Sequence, residues 1–485
     1  MKKYAYLMAA SAILSFGQVA MADVTIRITG STAFRAASVN GILNSMNVTG
    51  AGNGYAYSGT NFTGATFHIF RGTVTGIPGI VTVKTNWTGS VAGIRDTSAG
   101  TSIPFLPDAT TISSGGTQNA AAPVANEGIP DIAFADNLQG STTFTTPVLN
   151  SSNKVGIVPF AIVAGQNTLP SVTNITSQQL RALYTIGTIP SSLITGNPAD
   201  TQPVYAAGRD PFSGTRLTFL AETGYGTQNV VSQFAVNNFT TTNQVNQINL
   251  FPATLAVPIL GNDGLASGGT LANYLRYNTT NISDQFNGYT GPASFIGYIG
   301  EADSYAAVYG APFSSLSGAN QGNARYLSFN GVNGFGGVAR RPITPNPPVA
   351  TAGSAVIQLN NVGDTTGLIV GQIVSGNRIA PGSVIVSINT AANTITVDKN
   401  ALSTGTSTNL QIGSLLPAAL RNGSYSFWNF EYMLWKTSVV TGDKSTYAIT
   451  LRNRVRDFDY GFSGLADDAA FTVTRGEDGG IIQLK

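Results

Sequence analysis

The chain has 485 residues, a formal charge of +2 and no cysteine. Without cysteine there is no disulfide framework, no thiolate metal site, no cysteine nucleophile and no lipid-modified N-terminal cysteine. Charged residues are 10% of the chain, against about 25% in an average globular protein, and no basic run is present, so binding to nucleic acid or an anionic membrane through a charge field is not expected.

Lys2 and Lys3 open a short positive region, Tyr4 to Val19 is mostly small and apolar, and Ala20-Met21-Ala22 offers a small-x-small cleavage site. This is the layout of a secretory signal peptide over residues 1–22, with Asp23 expected to begin the mature chain. Export without a lipid anchor points to the periplasm, and secretion to the medium is equally compatible. The apolar stretch is short for a bilayer span, and no membrane span is expected in the mature chain. Removing the two lysines leaves a body of zero net charge, so any anion must be held by local groups.

The length calls for more than one domain. Val24-Thr-Ile-Arg-Ile reads as a strand, and Gly30-Ser-Thr-Ala-Phe turns into a helix on which Ala36, Val39, Leu43 and Met46 recur at spacings of three and four. Residues 50–64 and 97–126 are rich in Gly, Ser, Thr and Asn and read as long loops or irregular hairpins. The one histidine, His68, lies in an alternating strand-like stretch and reads as a strand position. A Ser-His-Asp site would have to run through it, and no Walker or G-x-S-x-G loop offers another route. No enzyme, metal or organic cofactor is expected, and a phosphoesterase lacks its metal-ligand set here.

Val155 to Ala164 is a continuous apolar run of the kind buried in a sheet. Thr176-Ser-Gln-Gln179 is a capping-box pattern leading into Leu180, Leu183 and Tyr184. Val204-Tyr-Ala-Ala runs into Gly208-Arg-Asp-Pro-Phe-Ser-Gly-Thr215, and Ser294-Phe-Ile-Gly-Tyr-Ile is another buried strand. The alternation argues an α/β fold. Residues 344–415 break it: after Pro345-Asn-Pro-Pro come short Val/Ile/Thr strands between Gly/Asn turns, read as a small all-β module inserted in the main fold.

A neutral protein that binds an anion needs helix N-termini, hydroxyls and a buried arginine. Two helix starts qualify, Ser31-Thr32-Ala33-Phe34 and Ser213-Gly214-Thr215, with Arg209 four residues before Ser213. Each start is also the pattern of an ordinary N-cap. Ile28-Thr-Gly-Ser-Thr-Ala-Phe34, Trp87-Thr-Gly-Ser90, Asp131-Ile-Ala-Phe-Ala-Asp136, Arg209-Asp-Pro-Phe-Ser-Gly-Thr215, Phe295-Ile-Gly-Tyr-Ile and Asn422-Gly-Ser-Tyr-Ser-Phe-Trp follow in order. In these phrases the chain resembles the phosphate-binding periplasmic proteins of ABC transporters, of the type II periplasmic binding-protein fold.

The resemblance implies an α/β, two-lobed periplasmic binding protein of the Venus-flytrap kind. Lobe 1 would comprise residues 23–155, 306–343 and 416–485, and lobe 2 residues 156–305. It places phosphate among Thr32, the Phe34 amide, Ser90, Asp136, Arg209, Ser213, Gly214 and Thr215, and implies an ABC permease as partner and a monomer. An aspartate facing the anion accepts a proton that hydrogen phosphate carries and sulfate lacks, so Asp136 would select phosphate. Asp136 as a strand-end cap is the competing reading. Ala33, Pro211, Phe212 and the stretched 96–128 region depart from the family pattern, and the β insert has no counterpart in it. The alternative function is a secreted surface or matrix protein that reuses the scaffold and interacts through the insert.

Overall fold

The computed structural model describes residues 23–309 except 151, 242 and 243; 323–335; 341 and 342; 348–457 except 362, 363, 366, 367, 369, 371, 377, 381, 382, 408, 409, 416 and 417; and 472–485. The expected signal peptide lies outside them. Chain order runs β1 (Val24–Gly30), α1 (Arg35–Asn44), β2 (Gly54–Tyr57), β3 (Phe67–Val74), β4 (Ile77–Asn86), α2 (Ser90–Ala99), β5 (Ile132–Ala135) and β6 (Lys154–Ala164). It continues with α3 (Ser177–Ile186), β7 (Pro203–Ala207), α4 (Gly214–Glu222), α5 (Gly268–Arg276), β8 (Ser294–Gly300), α6 (Glu301–Tyr309), β9 (Trp428–Trp435) and α7 (Gly442–Asp457), with shorter strands between them.

The backbone of the molecule is one continuous sheet ordered β2-β3-β4-β1-β5-β9-β6-β8-β7, ending on the short Thr188–Pro190 strand. β6 is shared by two halves. Its residues 156–159 pair antiparallel with β9, and its residues 160–164 pair antiparallel with β8. Pro159, which has no N–H to give a ladder, sits where the partner changes. On the β9 side, β4, β1 and β5 run parallel, with α2 and α7 packed on them. On the β8 side, β7 and β8 run parallel beneath α3, α4 and α5. These are two α/β lobes joined by a crossing strand.

Local signals explain the elements. Both arms of the Thr176–Gln179 capping box form at α3, with the Gln179 amide donating to Thr176 Oγ1 and the Thr176 amide to Gln179 Oε1. β6 is buried from Val155 to Ala164 as its apolar run requires. His68 is a strand residue, fully buried between the Thr85 hydroxyl at 2.9 Å and the Phe62 carbonyl at 2.7 Å. Burial pushes its imidazole down to about 3, which keeps it neutral.

One expected boundary is corrected. After β8 the chain turns back as α6 over β8, β6 and α5, because Tyr305, Ala306 and Ala307 bury there. Arg325–Tyr326 then pairs with Ala164 and Val163 of β6, and Ser328–Phe329 with Asn174–Ile175. Residues 306–309 and 323–329 thus lie on lobe 2, not lobe 1. Between Arg341–Pro342 and Gln411–Leu415 the strands form a separate eight-stranded sheet. It has its own core, including Ile357, Val374, Ile385 and Ile412. Arg341 pairs with Ile412, so the entry and exit of this unit are adjacent.

Candidate anion-binding site

The end of β7, the loop to α4 and the starts of α1 and α2 converge where β6 crosses. Arg209 follows β7 and is 2% exposed. Its backbone is clamped, the amide donating to Tyr298 Oη at 3.2 Å and the carbonyl accepting from Gln233 Nε2 at 3.1 Å. The guanidinium donates through Nε to the Leu265 carbonyl at 2.9 Å, and through Nη2 to the Ala266 carbonyl at 2.9 Å and Thr32 Oγ1 at 3.2 Å. Among the described residues no carboxylate lies within ion-pair distance of it. A buried guanidinium held only by neutral oxygens keeps its full charge available for an anion.

Ser213 caps α4, its hydroxyl accepting from the Arg216 amide at 3.4 Å. The amides of Gly214 and Thr215 take no acceptor among the described residues. These two orphan donors carry the positive end of the helix dipole. Opposite them lies Asp136, just past β5 and 1% exposed, whose Oδ1 has no hydrogen-bond partner among the described residues. A Cβ on Gly214 would fall 1.6 Å from that Oδ1, 2.3 Å from Asn137 Oδ1 and 2.6 Å from the Ser90 Cβ, so only glycine fits. Ser90 Oγ in turn accepts from the Asp136 amide at 3.3 Å.

The structure therefore gathers Ser90, Asp136 and Gly214 in one cluster, with Thr215 buried next to Gly214 on α4, and ties Thr32 to Arg209. Phe34 is buried in the core, and its amide donates to Ser31 Oγ at 3.2 Å. The Ser213 hydroxyl is likewise engaged as a cap. The lobes meet at this point: the Phe212 carbonyl accepts the amides of Val91 at 3.1 Å and Ala92 at 3.3 Å, so a lobe 2 loop caps α2 of lobe 1. Arg95 stacks 4.7 Å over the Phe212 ring. On the far side of that loop a cavity of about 250 Å³ opens between Val91 and Phe144 of one lobe and Arg216 and Leu220 of the other.

Burial pushes the Asp136 carboxyl up to about 6, and Asp478 pushes the same way, while the Ser90 hydroxyl and the Arg209 charge pull it down. Near neutral pH it is thus predominantly an acceptor. Burial also raises Asp303, whose neighbours Arg35 and Arg209 oppose the shift, and lowers Arg35. Glu431 of β9 is fully buried, and among the described residues neither carboxyl oxygen has a hydrogen-bond partner. Burial and then Asp136 push its carboxyl well above the usual range.

Sequence reasoning missed Arg35, Asp303, Glu431 and Asp478. Glu431 left a signal, a single charge inside the apolar run Trp428-Asn-Phe-Glu-Tyr-Met-Leu-Trp435. Arg35 directly follows the first anion loop. Asp303 and Asp478 reach the site only through the tertiary fold.

No protein-family model and no curated protein matches the chain. Among solved structures it is similar to an ABC transporter substrate-binding protein from Clostridium perfringens, solved with bound phosphate and assigned to phosphate provisionally. The identity is 13%, covering 88% of this chain and 92% of that one, with a TM-score of 0.38. An ABC-type phosphate transport receptor from Vibrio cholerae shows 16% identity over 64% of this chain and 78% of its own, TM-score 0.31. A phosphate-binding protein from Stenotrophomonas maltophilia shows 10% identity over 89% and 84%, TM-score 0.30.

Proposed function

We propose that this chain is an exported solute-binding protein that captures inorganic phosphate, or a similar oxyanion, between its two lobes for ABC-type uptake. The observation that carries the reading is Arg209: a guanidinium 2% exposed, without a carboxylate partner among the described residues, beside the start of α4. Those groups supply one full and one partial positive charge, with the Thr32, Ser90 and Thr215 hydroxyls as further donors. Asp136 faces them as an acceptor, which favours an oxyanion that brings a proton. The Phe34 amide and Ser213 hydroxyl join when the anion displaces their local bonds. Residues 344–415 form an accessory module, and the main fold acts as a monomer that presents its loaded form to a membrane permease from the periplasm. No helix of the described residues is long and apolar enough to cross a membrane. The test is calorimetric titration of the phosphate-free protein with phosphate, arsenate, sulfate and molybdate. Phosphate binding with sulfate rejected supports the reading, and no binding of any of them sinks it.

A second reading, a secreted surface or matrix protein on a reused scaffold, is favoured by the separate core of the insert. Binding of a polysaccharide or protein by residues 344–415, with no oxyanion affinity in the lobes, would establish it.

A further inference from the structure

Residues 473–480 form a strap that crosses from one lobe to the other beside the anion site. On lobe 2 it grips α4. Arg475 Nη1 pairs with Glu222 at 2.9 Å, with the two side chains 1% and 8% exposed. Gly479 has φ +67, and a Cβ there would lie 2.6 Å from the Ala221 carbonyl carbon. On lobe 1 the Arg475 guanidinium stacks 4.6 Å over Trp428, and Nη2 donates to the Ser426 carbonyl at 2.7 Å.

Asp478 lies between these grips. It accepts the Leu138 amide at 3.0 Å and Asn429 Nδ2 at 2.5 Å. The same Asn429 Nδ2 donates to the Asp136 carbonyl at 2.7 Å. A chain of hydrogen bonds thus runs from the strap, through β9, to the peptide of the residue that faces the proposed ligand.

We propose that Asp478 is a positioning and specificity-determining residue of the anion site: it fixes Asn429 and the Asp136 peptide, and its charge sets how strongly Asp136 demands a proton from the ligand. This rests on the oxyanion reading above. The titratable groups that face Asp136 are Arg209 from lobe 2, Asp478 from the strap and Glu431 from β9. Asp478 itself is faced by Arg475, with Ser141, Asn429 and the Leu138 amide as its polar neighbours. Asp478 and Asp136 repel, so each makes the other a stronger proton acceptor.

Two measurements on the full chain test this. Carboxyl NMR of the unliganded protein follows the titration of Asp136, assigned by its disappearance in Asp136→Asn. Calorimetry gives the ratio of phosphate to sulfate affinity. In the wild type Asp136 titrates near 6. In Asp478→Asn its midpoint falls, so Asp136 is more fully ionised near neutral pH, sulfate is rejected more strongly, and the phosphate-to-sulfate ratio rises by up to about tenfold. Lowered thermal stability with an unmoved midpoint and ratio makes the strap merely structural and overturns the proposal. So does a moved midpoint with an unmoved ratio. Should Asp478→Asn not fold, Asn429→Ser removes the bridge but keeps the charge. The ratio then falls while the midpoint stays near 6, and an unchanged ratio overturns the proposal. A wild type that binds no oxyanion sinks the functional reading as well. Oxyanion binding with both readouts unmoved removes this inference alone.

Discussion

Gly214 and Asp136 come from opposite lobes, yet a single methyl group on Gly214 would overlap the Asp136 carboxyl at 1.6 Å. The start of α4 is therefore pressed against the acid that faces it, and the contact exists only with the lobes together. Gly214→Ala is expected to keep each lobe folded, since alanine improves a helix by about 1 kcal/mol. It should weaken oxyanion binding by more than roughly tenfold by holding the lobes apart. Far-UV circular dichroism with calorimetric titration checks both halves. Retained affinity would mean the cleft closes in some other way.

Arg209→Ala removes the buried guanidinium from the anion's side of the cleft. The expected loss is about 3 kcal/mol of binding free energy, a hundredfold or more. Arg209→Lys recovers only part of it, because an ammonium lacks the planar fork that reaches two oxygens at once. Titration calorimetry of both variants reads the result, and unchanged affinity in Arg209→Ala places the site elsewhere.

Asp136→Asn is expected to trade binding for stability. The Asp136 carboxyl is raised from 3.8 to about 6 in the fold. The folded protein therefore holds this proton more tightly than the unfolded chain does. Its destabilising contribution grows as pH rises from about 4 to 6 and stays constant above, reaching roughly 2–3 kcal/mol. The amide should thus raise the melting temperature at pH 7.5 and change it little at pH 4, while phosphate affinity falls and sulfate becomes tolerated. His68 works the other way: held neutral by burial, with its imidazole near 3, it removes stability as pH drops below its ordinary value. The comparison must therefore be made between variants at one pH.

Replacing residues 344–415 by a short Gly-Ser linker should leave oxyanion affinity within about twofold, given that the unit has its own core and adjacent ends. Lost binding would make the insert part of the site. A lost capacity to adhere to a polysaccharide or partner protein, with affinity intact, would show what the insert adds.

Much of the scaffold was legible because its signals are local. The apolar run of β6, the capping box of α3 and the turn into α4 each depend on residues close in sequence. The placement of Arg209 and Asp136 was legible only through motif order. The return of residues 306–309 and 323–329 onto lobe 2 was not, because Ala306 and Ala307 suit either face and only tertiary packing chooses. The local use of the Ser31 and Ser213 hydroxyls followed from ordinary capping, a competing role that the sequence leaves open. Asp303 and Asp478 were invisible, since each has a second acid close by in sequence, Glu301 and Glu477, and becomes special only by what folds against it.

β6 changes partner at Phe160 without a break in the strand. Two halves thereby share one row of backbone hydrogen bonds and one continuous core, and neither can lose this strand without fraying the other. The two lobes should melt as one cooperative unit in scanning calorimetry, with the separately cored insert free to contribute its own transition. A hinge made from a shared strand also limits how far the halves can swing before the ladder itself is strained, so the device that couples the lobes' stability also caps the size of the opening.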